Sequence, residues 1–277
     1  LNFDQDALLR CLELTEVGLG VVEGENLDIG YYRVFGGQIL AQMITAASDA
    51  SPDKVVKSIQ VLFPREGDAT KPMRYSVRKL QDGRTFGATE IVATQGDDPK
   101  VIASAVLSMH AEEDGLHRSD GPPAGVAAPV EGRADLGGMV PWETSIVDGV
   151  DIADKAVGPP DLQWWMRAQP LGDARHLHQA LLAHATDLTL IGTGLRPFEG
   201  ISQADSTVTL HTAVTSHTLW FHQPFRADSW LLAVQHAPVT AGGRTFGRGD
   251  VFAGEELVAS FAQEAMVRQL PATDGSG

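Results

Sequence analysis

Two polar side chains, Asp187 and Gln263, stand where a second copy of the same sequence pattern carries Ala46 and Leu107. A carboxylate and an amide kept in one copy and missing from its twin are the candidates for chemistry, because a duplicated scaffold needs only one working site. By default a helical aspartate caps or faces solvent, and a strand glutamine faces water. Gln263, however, shares its strand face with Ala259, Phe261, Ala265 and Val267. An amide on such a face needs a partner, since leaving it unsatisfied costs roughly 1–3 kcal/mol.

Other site chemistries lack their residues. His176 and His178 lie two apart on a helix and point different ways, there is no His-Glu-x-x-His run, and the single cysteine, Cys11, reads as a core thiol on an amphipathic helix. Neither a metal nor another cofactor is expected. A Gly-x-Ser-x-Gly elbow and a phosphate-cradling glycine loop are both missing, which argues against a seryl hydrolase and a nucleotidase. The net charge of −15 offers no counterion-release energy to nucleic acid or to an anionic membrane surface. With no stretch near the roughly 20 unbroken apolar residues of a membrane helix, no leader and no peroxisomal address, a cytoplasmic location is expected. An anionic small ligand stays open if Lys54, Lys57, Arg65, Arg84, Arg244 and Arg248 cluster, although each taken singly reads as a solvated surface charge.

The elements that must position Asp187 and Gln263 come from the duplication. Gly-Arg-Thr-Phe-Gly occurs at Gly83 to Gly87 and again 160 residues later at Gly243 to Gly247, each time inside a predicted β-hairpin. Gln38 and Gln179 match at an offset of 141, Phe63 and Phe221 at 158, and Ile102 and Val258 at 156. The jump places about 17 extra residues after the second helix, where surface loops tolerate insertions. In the first unit the apolar stripe of 33–48 predicts a largely wrapped helix, followed by strands over 57–63, 73–80, 85–94 and 101–110. The second unit predicts a strand over 161–168, a helix over 174–191 behind an Asp173 cap, and strands over 207–221, 230–239, 245–253 and 257–267. Residues 112–160 lose periodicity and are dense in Gly and Pro, so they read as a linker between units 1–111 and 161–277. The fold class is α+β: two tandem helix-wrapped-by-antiparallel-sheet units whose sheets join edge to edge.

Four stretches resemble the type II acyl-CoA thioesterases, a family built as a double hotdog. Arg33-Val-Phe-Gly-Gly-Gln38 is similar to its first-helix signature and Leu177-His-Gln-Ala-Leu-Leu-Ala-His-Ala-Thr-Asp187 to its second helix. Trp220-Phe-His-Gln-Pro-Phe225 resembles its long central strand, and Ala259-Ser-Phe-Ala-Gln-Glu264 its last strand. The resemblance implies hydrolysis of fatty acyl-CoA to free fatty acid and CoA by a water held among an Asp, a Ser or Thr, and a Gln. Asp187 matches the acid and Gln263 the amide; a carboxylate can take the water's proton while an amide fixes its position. Main-chain N–H groups of Gly36 and Gly37 are candidates to polarise the thioester oxygen, with close helix packing as the alternative reading. Two positions depart from the family. Its hydroxyl position holds Val214, with Thr212 and Ser216 expected on the same strand face, one place up and one down; Gln60 stands where relatives carry a histidine. An acyl-CoA-binding protein with little hydrolysis is therefore the alternative function. A hotdog hydratase lacks an evident Asp/His pair in the sequence. Assembly into a homo-oligomer is implied by resemblance alone.

Overall fold

A computed structural model describes residues 4–30, 32–137, 140–206 and 208–270. Helix α1 (Gln5–Cys11) starts where the Asp4 carboxylate accepts the Ala7 N–H at 2.6 Å, and Cys11 is buried on it as a free thiol. A hairpin follows, β1 (Thr15–Gly18) and β2 (Val21–Gly24), turning at Gly20 with φ 67°. Helix α2 (Gly36–Ala50) is buried continuously from Gly37 to Ala47, as its apolar stripe requires. Strands β3 (Val55–Leu62), β4 (Met73–Asp82), β5 (Phe86–Gln95) and β6 (Lys100–His110) complete the first unit.

Residues expected to be a structureless linker form β7 (Glu143–Ile146) and bury Leu136, Trp142, Ile146 and Ile152 in the core. A four-residue strand is too short to leave a periodic signature among glycines and prolines. Strand β8 (Asp161–Arg167) follows, then α3 (Arg175–Thr186) and α4 (Leu190–Leu195) in place of one helix over 174–191. Asp173 does not cap α3: Ala174 is the N-cap, with no side-chain bond, and Asp173 pairs with Arg226 at 2.8 Å. The extra residues after α3 build α4, which lies on the sheet so closely that a β-carbon on Gly247 would meet Leu190 Cδ2 at 2.6 Å. The second pentapeptide's last glycine thus leaves room for the Leu190 side chain. Strands β9 (Leu210–Phe221), β10 (Leu231–Ala241), β11 (Arg244–Ala253) and β12 (Glu256–Gln269) close the unit. Thr207, the expected start of β9, and the last residues, 274–277, lie outside the described residues. No helix among the described residues is long and apolar enough to cross a membrane.

Among the described residues the twelve strands form one sheet in the order β1-β2-β4-β5-β6-β3-β9-β12-β11-β10-β8-β7. The two units join through β3 and β9, where Gln60 stands opposite Thr218, Ile59 opposite Leu219 and Val61 opposite His217. Residue 218 lies 158 beyond residue 60, the offset that relates Phe63 to Phe221, so β3 pairs with its own counterpart about a local two-fold axis. In each unit the equivalent cross-strand pair is then known. It is Ile59 with Leu107 in the first and His217 with Gln263 in the second.

Candidate active site

Asp187 is positioned by the end of a helix. It is the C-cap of α3, directly after Thr186, and lies against the start of α2, where the Gly37 N–H hydrogen-bonds its carboxylate. A β-carbon on Gly36 would stand 2.7 Å from Asp187 Oδ2, and one on Gly37 would stand 2.4 Å from the His184 carbonyl oxygen. Gly37 must be glycine for α2 to approach the α3 backbone this closely, and Gly36 leaves the space that the Asp187 carboxylate fills. The close-packing alternative therefore has a direct geometric basis, and the Gly37 N–H is engaged by the carboxylate.

Asp187 is 5% exposed, and burial pushes its carboxyl up to about 7 against the pull of the Gly37 N–H. Its Oδ1 has no hydrogen-bond partner among the described residues, and neither does Gln263 Nε2. Between them stands a residue that the sequence reading missed, His217 on β9. Its Nδ1 lies 3.0 Å from Gln263 Oε1 and 3.9 Å from Asp187 Oδ1, and its Nε2 lies 3.1 Å from Thr186 Oγ1. The ring is wholly enclosed, stacked on Phe261, and burial lowers its pKa to about 4. It is therefore a neutral imidazole beside a carboxyl, rather than half of an ion pair.

This contact is the Asp/His pair that seemed absent from the sequence, brought together from a helix end and a strand. Both ring nitrogens are nevertheless engaged, by Gln263 and by Thr186, which leaves none to protonate a substrate in the manner of a hydratase.

The strand faces around Val214 also differ from simple alternation. Ser216 pairs with Glu264 while Val214 pairs with Ala265, so Thr215 is the extra residue of a β-bulge. The bulge reverses the parity of the strand. His217 and Leu219 above it and Val214 and Thr212 below it face inward, and Ser216 turns to the face that carries Glu264 and the exposed Leu62. Ser216 therefore does not share the face of Val214, because the bulge intervenes.

A cavity of about 820 Å³ ends on Asp187. Gly36, Thr212 and Val214 are in its wall, as are Leu136 and Ile152 from the segment that joins the units. Gln263 and Ser216 are not; Gln263 meets Asp187 through His217. Of the six basic residues proposed to cluster, Arg65 lines the cavity, Lys54 is held by Asp53 and Asp82, and Arg244 pairs with Glu264.

Comparison with known proteins agrees with this architecture. Residues 25–110 match the acyl-CoA thioesterase N-terminal domain and residues 111–267 the acyl-CoA thioesterase C-terminal domain. The chain is 26% identical to acyl-CoA thioesterase 2 of Haemophilus influenzae, over 94% of this chain and 96% of the relative. It is 26% identical to human acyl-coenzyme A thioesterase 8, over 94% of this chain and 88% of the relative. The crystal structure of an acyl-CoA thioesterase II from Mycobacterium marinum superposes with a TM-score of 0.79 at 29% identity, covering 95% of this chain and 99% of that one. A cavity that ends on a buried carboxylate between two fused helix-on-sheet units, with both domain families matched in order, places this chain in the type II acyl-CoA thioesterase family of double hotdog proteins.

Proposed function

We propose that the protein hydrolyses fatty acyl-CoA thioesters with a water activated by Asp187 and oriented by Gln263. The observation that carries this reading is the pair of buried polar atoms, Asp187 Oδ1 and Gln263 Nε2, that lack hydrogen-bond partners among the described residues. Buried groups of this kind are expected to meet a polar partner, and a water that donates to the carboxylate and accepts from the amide satisfies both. The acyl chain enters the cavity with its thioester carbonyl at Asp187 and Gly36, so that the positive end of α2 faces the oxygen.

The water oxygen then bonds to the carbonyl carbon as its proton passes to Asp187. Collapse of the tetrahedral intermediate breaks the C–S bond, and Asp187 returns the proton to the departing CoA sulfur. Val214 supplies no hydrogen bond at the place of the family hydroxyl. Thr212 and Thr215 of that strand both line the cavity, but the Thr215 hydroxyl donates to Glu264, so Thr212 stands in for the missing group. Val214 also favours a second reading, acyl-CoA binding with little turnover.

One experiment separates the two. Purified protein incubated with saturated acyl-CoA esters of graded chain length is expected to release thiol, and Asp187→Asn is expected to slow that release about 10²- to 10⁴-fold. Tight binding without thiol release at any chain length would support the binding reading instead.

A further inference from the structure

The contacts of His217 point to a control over Gln263 that begins one residue before Asp187. We propose that Thr186 is a positioning residue whose hydroxyl donates to His217 Nε2, holds the ring with its proton on Nδ1, and thereby keeps the Gln263 amide nitrogen turned toward the reacting water. Only the last clause rests on the hydrolytic reading.

The amide carbonyl of Gln263 can only accept, so a 3.0 Å contact between Oε1 and Nδ1 requires the proton to be on Nδ1. The carboxylate of Asp187, 3.9 Å from the same nitrogen, favours that proton as well. A neutral ring then carries a lone pair on Nε2, and the group beside it is the Thr186 hydroxyl at 3.1 Å. That hydroxyl has a competing acceptor, the Ala183 carbonyl oxygen at 2.9 Å, and one hydrogen to give. If the hydrogen goes to Ala183, Thr186 becomes an acceptor, the ring proton moves to Nε2, and Gln263 must turn its nitrogen toward His217. The amide would then present an acceptor to a site whose carboxylate is already one.

The twin unit shows the hydroxyl without the ring. Thr45 is the counterpart of Thr186, Ile59 replaces the histidine, and the Thr45 hydroxyl donates to its own helix at the Ala41 carbonyl, 3.1 Å away. The imidazole is what gives the second threonine another task.

The test uses the full chain with 15N-labelled histidine. The His217 resonances are expected to show a protonated Nδ1 and a hydrogen-bonded, unprotonated Nε2. Thr186→Val should shift the Nε2 resonance to that of a nitrogen without a donor and lower kcat about tenfold with KM little changed, as expected for loss of one orienting hydrogen bond. Thr186→Ser, which keeps the hydroxyl, should restore the resonance and most of the rate. A proton on Nε2 in the unsubstituted protein, or a Thr186→Val variant with an unmoved Nε2 resonance, would overturn the assignment of Thr186. A protein that turns over no acyl-CoA yet shows the expected resonances would instead remove the hydrolytic reading and leave the tautomer control standing.

Discussion

The end of α3 and the matching turn of α2 occupy equivalent places in the two units and are built from opposite materials. At the first stand Asp187, His217 and Gln263; at the second stand Ala46, Ile59 and Leu107, which are 3%, 0% and 0% exposed. Both sets are closed off from solvent, so burial alone does not distinguish them. The difference is that the polar set keeps two unpaired atoms and a strongly shifted carboxyl, an arrangement that costs stability, whereas the apolar set fills its space with side chains that need no partners. A fold that can bury Ile and Leu at this place, and does so once, has retained the costly version at the end of a cavity.

Substitutions that exchange properties between the two places test this contrast, and the largest effect is expected at the carboxylate. Asp187→Asn should lower kcat/KM by about 10²- to 10⁴-fold, the range for loss of a general base, with an unchanged circular dichroism spectrum. Gln263→Ala should lower kcat about 10²- to 10³-fold. The paired control, Leu107→Ala in the twin, should leave kcat near its starting value while destabilising the fold by about 2–5 kcal/mol in chemical denaturation. A large loss of kcat in the control would erase the distinction between the units.

Acidity provides a third test. Because the Asp187 carboxyl lies near 7 in the folded protein, kcat/KM should rise about tenfold per pH unit below 7 and level off above it. The same shift acts on stability with opposite sense. The folded state binds this proton more tightly than the unfolded chain, so the contribution is full below the ordinary aspartate range and is lost as pH rises toward 7. Asp187→Asn should therefore flatten that part of the melting-temperature profile and raise the melting temperature at pH 8. The smallest expected effect is at Val214. Val214→Thr places a hydroxyl in the cavity wall and should raise kcat several-fold, about the value of one hydrogen bond.

Much of this was legible from self-comparison of the chain. Asp187 and Gln263 emerged because Ala46 and Leu107 replace them in the twin, and the offset of 158 between Phe63 and Phe221 holds in the pairing of β3 with β9. The same comparison applied to β9 sets His217 against Ile59, which is the signal that finds it. Metal-ligand spacing among the histidines does not reveal His217, because its partners lie 31 and 46 residues away on a helix and a strand. Alternation puts Ser216 on the face of Val214 only if the ladder is unbroken, and the bulge at Thr215 is set by how β9 pairs with β12.

By itself the sequence determined the duplicated α+β architecture, the apolar stripe that buries α2 and the candidates Asp187 and Gln263. These follow from local periodicity and from residue type at matched positions, which a chain carries wherever it folds. Tertiary structure alone decided that α3 stops at Thr186, that Gly36 and Gly37 admit the Asp187 carboxylate, and that Thr186, His217 and Gln263 form one hydrogen-bonded line. Each of these depends on distances between elements far apart in the chain, and such distances exist only once the sheet has closed around both helices.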